Sequence, residues 1–204
     1  MADDAAITPK SGAITVQRER RSEALLGELA RLRVEVFRAW PYLYAGSADY
    51  EARYLSDFLA DESATMVVAR HDGQAIGMAT ASRLAAQPDE IQQPLRAGQY
   101  NPALVHYFGE SVLLPRYRGC GIGHRFFDER ERAAREANAT HACFCAVVRE
   151  DDHPARPAAG RDLSSFWRSR GYVPAAGMEA SIAWREVGAS VEVLHRMQFW
   201  IRRL

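Results

Sequence analysis

The chain has no excess of charge of either sign and no long apolar run. Its 204 residues include 26 basic and 26 acidic side chains, so the formal net charge at pH 7 is zero. This balance gives no electrostatic basis for binding nucleic acid or an anionic membrane. No window approaches the roughly 18 consecutive apolar residues of a membrane-spanning helix, and residues 1–5 lack the basic and apolar regions of a secretory signal. We therefore expect a cytoplasmic protein with neither nucleic-acid nor membrane partners.

Paired cysteines are also lacking. The three cysteines are odd in number, which argues against a disulfide framework and favours a reducing compartment. His141, Cys143 and Cys145 alternate along one predicted strand, but Cys-x-Cys with a single histidine lacks the paired spacing of zinc sites. We expect the two cysteines to pack in the core, and we predict no metal.

The length predicts a single domain. A chain of this size buries on the order of 70% of its unfolded surface, which is enough for one substantial core. Residues 1–15 contain few apolar side chains and a Ser-Gly turn signal, so they predict a flexible N-terminal tail. The domain itself is expected over residues 16–204.

Apolar periodicity predicts a mixture of helices and strands. One helix should end before Pro41, and a second should follow Ser47, where Tyr50, Tyr54 and Phe58 recur at helical spacing. Two runs separated by a His-Asp-Gly-Gln turn predict a β-hairpin. The other predicted elements are a short helix within residues 84–103, a strand at 142–148, and strands at 178–184 and 197–204.

Residues 115–127 are the most informative segment, because three glycines there join an apolar run to a helical one. Residues 108–114 are apolar and predict a buried strand, while residues from about 122 to 138 predict an amphipathic helix. Glycines at a helix start let an anion approach N–H groups that have no intrahelical acceptor. The segment therefore predicts a pyrophosphate site. The basic residues that would add charge are Arg116, Arg118 and Arg125.

Two common phosphate-binding motifs are absent from this turn. A Walker A loop ends in Gly-Lys-Ser/Thr, whereas Gly123 is followed by His124 and Arg125, so a nucleoside triphosphatase is disfavoured. The dinucleotide fingerprint G-x-G-x-x-G would need glycine at position 124 or 126, which are His124 and Phe126.

What remains is Arg118-x-x-Gly121-x-Gly123 behind a strand, and this resembles the acetyl-CoA pyrophosphate motif of the GNAT N-acetyltransferase superfamily. A downstream segment is similar to a second pattern of that family. It consists of the aromatic pair Phe166-Trp167, three further residues, Gly171 and the aromatic Tyr172. The resemblance implies acetyl-CoA as cosubstrate. The residues that it implies at the cofactor are Leu113, Arg118, Gly119, Cys120, Gly121, Ile122, Gly123 and Trp167.

The same resemblance implies the fold. We expect a three-layer α/β fold whose mixed, mostly antiparallel sheet of about seven strands is flanked by helices on both faces. The sheet should splay where Leu113 and Val147 lie on adjacent strands. A backbone N–H in the region of Val112, Leu113 and Leu114 should hold the thioester carbonyl.

The implied activity is N-acetyl transfer to a primary amine of a small molecule or peptide within one ternary complex. Glu110 is our candidate general base, because it is the only carboxylate in the apolar strand expected to border the thioester. The alternative is a structural glutamate paired with backbone groups or an arginine.

The chain departs from the family at the general acid. The usual tyrosine is replaced by Trp167, whose indole cannot supply a proton at neutral pH. Tyr172, Cys145 and His153 remain open as substitutes, and a catalytically weak acyl-CoA-binding or regulatory domain is an alternative function. The aromatic segment 197–201 is compatible with a possible homodimer. Four acidic residues could form a subsite for a cationic acceptor, but acidic side chains on helix faces and loops are normally just solvated. These residues are Asp49, Glu51, Asp89 and Glu90.

Overall fold

The predicted alternation of apolar patterns becomes eight strands and five helices in the computed structural model, which describes residues 12–20, 22–158 and 162–204. The strands are β1 (Ile14–Arg18), β2 (Thr65–His71), β3 (Gln74–Arg83), β4 (Val105–Tyr107), β5 (Ser111–Leu113), β6 (His141–Val147), β7 (Val173–Arg185) and β8 (Glu192–Arg203). The helices are α1 (Glu23–Phe37), α2 (Ala48–Phe58), α3 (Asp89–Ala97), α4 (Ile122–Glu136) and α5 (Ser164–Ser169).

The strands form one open, mixed sheet. Seven of them follow the order β1-β2-β3-β4-β6-β8-β7, and β5 also pairs with β3. The β4–β6 pair is parallel, whereas the other pairs are antiparallel. The expected mixed, mostly antiparallel α/β sheet is therefore confirmed.

Helices cover both faces of this sheet. Along β6, Phe144 packs with Phe127 of α4 and Trp167 of α5, while its neighbour Cys145 packs on the opposite side in a cluster that contains Leu95 of α3. Successive strand residues point to opposite faces, so these clusters lie on the two sides of the sheet. Helix α1 packs on α2 and on strands β3 and β5.

The predicted uninterrupted strand at residues 108–114 is wrong, because the chain bulges there. Tyr107 lies opposite Ser82, and Ser111 lies opposite Ala79. Between these two pairs, the three residues 108–110 therefore face only the two residues 80–81 of β3. One extra residue of this kind is a β-bulge, which breaks the pairing and bends the strand. The bulge separates β4 from β5, and for this reason the sheet has eight strands instead of about seven.

Several local predictions are confirmed. The hairpin joins β2 to β3 through Asp72 and Gly73, which have φ values of 49° and 80°. Helix α4 covers Ile122–Glu136, and a short helix, α3, lies in the polar insertion. Strand β1 starts at Ile14, inside the segment expected to be a tail, and residues 1–11 lie outside the described residues.

The predicted helix after Ser47 is present, but its tyrosines do not form its buried face. Helix α2 buries Glu51 and Leu55, whereas Tyr50 and Tyr54 are 54% and 37% exposed. The C-terminal aromatic segment is buried within the chain itself: its members in the core are Met197, Phe199, Trp200 and Ile201. These side chains are therefore not an exposed dimer surface, and a homodimer stays a prediction.

Within the described part of the chain, every helix is too short or too polar to cross a membrane.

Candidate active site

The glycine turn connects β5 to α4 and leaves an open space at the helix start. Gly121 is the N-cap of α4, with a φ of 77°, and Gly119 has a φ of 82°. Both values lie in the left-handed region, which costs a residue with a side chain about 1–2 kcal/mol. A Cβ added at either glycine would meet no atom within 4 Å, so the turn is open to a ligand.

The turn also presents unused hydrogen-bond donors. Within the described chain, the backbone N–H groups of residues 119–123 donate to no other residue. Free N–H groups at a helix N-terminus, where the helix dipole is positive, attract phosphate. Donors and open space together fit the pyrophosphate group that the sequence predicts here.

Two of the three arginines of this segment make different contacts. The Nε of Arg118 donates to the carbonyl of Leu113 at 3.3 Å, which ties the turn back to the end of β5. The guanidinium of Arg125 instead donates to the carbonyls of Ile14 and Val16 at 3.2 and 3.5 Å. Arg125 therefore secures β1, and the expectation that its charge serves the turn is not supported by its contacts.

The sheet divides next to this turn. Strand β4 pairs with β6 as far as Tyr107 and Cys143, and the Phe108 N–H still donates to the Cys143 carbonyl at 2.8 Å. Beyond that point β5 pairs with β3, while β6 continues along β8 to Val147. The expected split between the strands that carry Leu113 and Val147 is present.

Leu113 directs its N–H into this split. The N–H of the next residue, Leu114, donates to the Ile76 carbonyl of β3 at 3.0 Å. N–H groups alternate in direction along an antiparallel strand, so the Leu113 N–H points away from β3. This geometry agrees with the predicted role of Leu113 as a backbone donor to a thioester carbonyl, which stays a prediction.

Glu110 lies on the bulge immediately before β5. The Gly109 N–H donates to the Thr80 carbonyl, and the Thr80 N–H donates to the Glu110 carbonyl, both at 3.1 Å. The Thr80 hydroxyl accepts the Glu110 N–H at 3.3 Å. A Cβ at Gly109 would lie only 2.6 Å from that hydroxyl, so the bulge requires glycine at this position.

A buried arginine of α1 holds the side chain of Glu110. Arg33 Nη1 lies 2.6 Å from Glu110 Oε1, and the side chains are 9% and 8% exposed. The contact is an ion pair whose angle is not that of a hydrogen bond. Arg33 Nε also donates to Glu51 Oε2 at 2.5 Å. Glu51 is therefore a buried ion-pair partner, and the view of it as a solvated residue is wrong.

Phenol groups surround these carboxylates. Burial raises the pKa of Tyr42, and the charge of Glu110 adds to the effect. The charge of Glu110, followed by burial, raises the pKa of Tyr54. The pKa of Tyr44 is also raised, by burial and by a hydrogen bond to Glu51. All three phenols are therefore neutral at physiological pH and able to act as hydrogen-bond donors.

The substitutes considered for the missing tyrosine lie in different places. The hydroxyl of Tyr172 donates to Glu131 of α4 at 3.3 Å, in the cluster that packs under α4. Cys145 lies on the opposite face, where its Sγ is 3.1 Å from the Tyr107 hydroxyl. Burial raises the pKa of the Cys145 thiol to about 11. His153 packs against Trp40 with ring centroids 5.1 Å apart.

Trp167 packs against the sheet. Its ring lies 5.1 Å from Phe144 and 4.9 Å from Trp200. Its neighbour Phe166 is the closer of the pair to the glycine turn, because a Cβ at Gly123 would lie 3.5 Å from the Phe166 ring. The assignment of Trp167 to the cofactor stays a prediction.

Arg130 of α4 reaches the bulge from the other side of the sheet. It is 2% exposed, and its guanidinium donates to the Thr80 and Glu110 carbonyls at 3.4 and 3.2 Å. It also stacks over Phe108 and Phe127, at 4.4 and 4.8 Å from their centroids. Burial lowers the pKa of Arg130 to about 10, which still leaves it charged at neutral pH.

Sequence reasoning missed the buried charges that surround Glu110, although the sequence contains a signal for them. Arg33 is four residues after Leu29 and so falls inside the apolar stripe of α1. Glu51 lies four residues before Leu55 in α2, and Arg130 lies four residues after Phe126 in α4, so both charges fall on the apolar face of their helix. A charge at a stripe position must be paired or hydrogen-bonded when the stripe is buried.

The split sheet and the open glycine turn at the start of α4 together define the class of α/β protein to which this fold belongs. The sequence matches the model of the Acetyltransferase (GNAT) family over residues 29–163. This match covers more than half of the chain. The chain therefore belongs to the GNAT acetyltransferase family. A search of curated protein sequences finds no match.

Solved structures share the fold. An acetyltransferase from Streptococcus agalactiae 2603 is 12% identical with a TM-score of 0.61, and the alignment covers 94% of this chain and 98% of that one. The ribosomal-protein-alanine N-acetyltransferase from Brucella melitensis is 16% identical with a TM-score of 0.59, covering 92% and 99%. YncA from Salmonella typhimurium, solved with its cofactor acetyl-CoA, is 12% identical with a TM-score of 0.58, covering 94% of both chains. At these identities the likeness concerns the fold alone.

Proposed function

We propose that this protein transfers an acetyl group from acetyl-CoA to a primary amine of a small molecule or peptide, within one ternary complex. The observation that supports this most directly is the placement of two different features around the short strand β5. The free N–H groups of residues 119–123 follow β5, and the buried carboxylate of Glu110 precedes it. A phosphate cradle and a candidate base therefore flank the same strand.

The backbone would hold the cosubstrate. Acetyl-CoA supplies an acetyl group activated as a thioester. The N–H groups at Gly119, Gly121 and Gly123 would bind its pyrophosphate, and the space in front of the first two glycines admits it. The Leu113 N–H would donate to the thioester oxygen, where negative charge develops during transfer.

Glu110 would act as the general base. A simple alkyl amine is protonated at neutral pH, with a pKa of about 10, and has to lose a proton before it can attack. Glu110 can accept this proton, directly or through a water molecule. The acceptor would approach from the face of the sheet on which Arg33, Tyr54 and Tyr42 surround Glu110.

A noncatalytic acyl-CoA-binding or regulatory role is the second candidate, and Trp167 is the observation that favours it. Trp167 replaces the family's usual tyrosine and packs against Phe144 and Trp200, so it presents no hydroxyl group. The two functions differ in one measurable property, because only the enzyme requires Glu110 for turnover.

Calorimetric titration with acetyl-CoA, CoA and dephospho-CoA tests the cofactor site. Gly121→Glu should abolish binding, because it adds bulk and a negative charge at the cradle. Gly188→Glu is the matched control, because Gly188 also has a positive φ, of 86°, and an open surrounding, but lies in the turn between β7 and β8. Failure of the wild type to bind would remove the basis of the proposal.

Turnover with a panel of amines tests the reaction. Glu110→Gln should lower kcat by about 10²- to 10⁴-fold, which is the usual contribution of a general base, while acetyl-CoA still binds. Product formation would be measured by mass spectrometry. Binding of acetyl-CoA without any amine-dependent release of CoA would instead support the regulatory domain.

A further inference from the structure

Three buried charged side chains meet on the acceptor side of the sheet. Arg33 from α1, Glu51 from α2 and Glu110 from the bulge lie in three separate elements, and Arg33 bridges the two carboxylates. Their side chains are at most 9% exposed. Because charges are costly to remove from water, such a group is stable only with close partners, and each member depends on the others.

Aromatic rings enclose the bridging guanidinium. It lies 4.5 Å from the ring centroid of Tyr54 and 5.0 Å from that of Phe37. Burial by itself disfavours the charged form of Arg33, but attraction to the carboxylates of Glu110 and Glu51 outweighs this effect, so the pKa of Arg33 lies above its ordinary value. Arg33 is therefore a fixed positive charge.

The two contacts of Arg33 are unequal. Its Nε makes a hydrogen bond to Glu51, whose side chain is 1% exposed. Its Nη1 makes the ion pair with Glu110 Oε1. Within the described chain, no other side chain forms an ion pair or a hydrogen bond with the Glu110 carboxylate. Arg33 alone holds that group, and the second oxygen of Glu110 is left free to accept a proton.

We propose that Arg33, itself fixed by Glu51, is a positioning residue that aims the carboxylate of Glu110 at the acceptor amine. This inference rests on the proposed function. Arg33 touches neither substrate in this role, and its effect on catalysis passes through Glu110. A merely structural role would be to join α1 and α2, with no specific effect on the base.

A double-mutant cycle separates the two roles. Arg33→Met keeps the apolar stem and removes the charge, and we expect kcat to fall about 10- to 100-fold, the loss that a displacement near 1 Å can cause. Acetyl-CoA affinity should stay within about threefold, a change well below one factor of ten. In a Glu110→Gln background, Arg33→Met should change kcat by less than about twofold, because the group that it positions is already inactive.

Two further variants keep the test decisive if Arg33→Met folds poorly. Arg33→Lys retains the positive charge, but its N–H donors all lie on one nitrogen and cannot reach Glu51 and Glu110 in the way that Nε and Nη1 do. Because the charge beside Glu110 is kept, kcat of Arg33→Lys should lie between the values of Arg33→Met and the wild type. Arg70→Met is the matched control, because Arg70 also pairs with two glutamates, Glu19 and Glu28, at 2.7 and 3.1 Å, in a region that includes no proposed site residue. It should lower the unfolding temperature without changing kcat.

The outcomes distinguish this inference from the proposed function. Equal losses of kcat from Arg33→Met in the wild-type and Glu110→Gln backgrounds would overturn the positioning role alone, as would an unchanged kcat in the wild-type background. Absence of any acetyl transfer by the wild type would overturn both proposals. A loss of kcat confined to the wild-type background would support the role of Arg33.

Discussion

The glycine turn offers a quantitative test because its glycines have different backbone conformations within three residues. Gly121 has a φ of 77°, whereas Gly123 lies inside α4. An alanine in the left-handed region costs about 1–2 kcal/mol. Replacing glycine by alanine also lowers the conformational entropy of the unfolded chain, and this effect stabilises the folded protein by about 0.4–1 kcal/mol. The Cβ at Gly121 meets nothing within 4 Å, so no steric term changes this balance.

Gly121→Ala should therefore destabilise the protein by about 1 kcal/mol, which lowers the melting temperature by about 2–4 °C for a chain of this length. Gly123→Ala should have the opposite sign. Alanine is favoured over glycine by up to about 1 kcal/mol in a helix, and its Cβ would make only an ordinary contact, 3.5 Å from Phe166.

Urea denaturation followed by tryptophan fluorescence measures both changes, and calorimetry with acetyl-CoA adds the functional effect. We expect Gly121→Ala to weaken binding. Gly123→Ala should leave the affinity within about threefold, since Gly123 lies inside α4 and alanine can adopt its backbone conformation. Equal stability changes in the two variants, or an undiminished stability of Gly121→Ala, would refute the argument from backbone conformation.

Three further predictions concern the core and the bulge. Neither ring nitrogen of buried His106 has a hydrogen-bond partner within the described residues, and burial, with Arg83 and Arg18, lowers its pKa from 6.5 to about 4. The His106 imidazole therefore binds a proton more readily in the unfolded chain than in the folded one. The free energy of unfolding should fall by about 3 kcal/mol from this group as the pH drops from 6.5 to 4. Urea denaturation of His106→Leu over the same pH range should lack this contribution. Thr80→Val removes the acceptor of the Glu110 N–H and should cost about 1–3 kcal/mol together with activity, whereas unchanged turnover would contradict the role of the bulge. Phe199→Ala, at a site with 0% exposure, should cost about 3–5 kcal/mol by urea denaturation, while Leu194→Ala, at 72% exposure, should stay within about 0.5 kcal/mol.

The parts of the fold that could be predicted from the sequence are those determined by neighbouring residues. Asp72 and Gly73 are turn residues between two apolar runs, and they form the hairpin. The glycine turn and the apolar stripe of α4 are also local patterns, and both were located correctly. The identity of the family followed from the same turn.

What could not be predicted depends on contacts between distant segments. Residues 108–114 read as one strand, because the bulge is determined by Thr80 and Arg130, which are 30 and 20 positions from Glu110. Helix α2 turns Glu51 inward, since Arg33 of α1 pairs with it, and periodicity alone favoured its tyrosines. The surroundings of Glu110 are formed by such contacts, so no local sequence pattern indicates which acceptor substrate would bind there.

Arg130 gives the protein a direct connection between its two proposed binding regions. The helix that carries this side chain begins at the phosphate cradle, while its guanidinium is bonded to the carbonyl of Glu110. A shift of α4 when the cradle is filled would therefore be passed to the strand segment that faces the acceptor. If occupancy of one region changes the affinity of the other through this contact, thermodynamic linkage makes the factor the same in both directions. The acceptor would then change the affinity for acetyl-CoA by the same factor as acetyl-CoA changes the affinity for the acceptor, so the order in which the two arrive affects the rate of assembly but not its free energy.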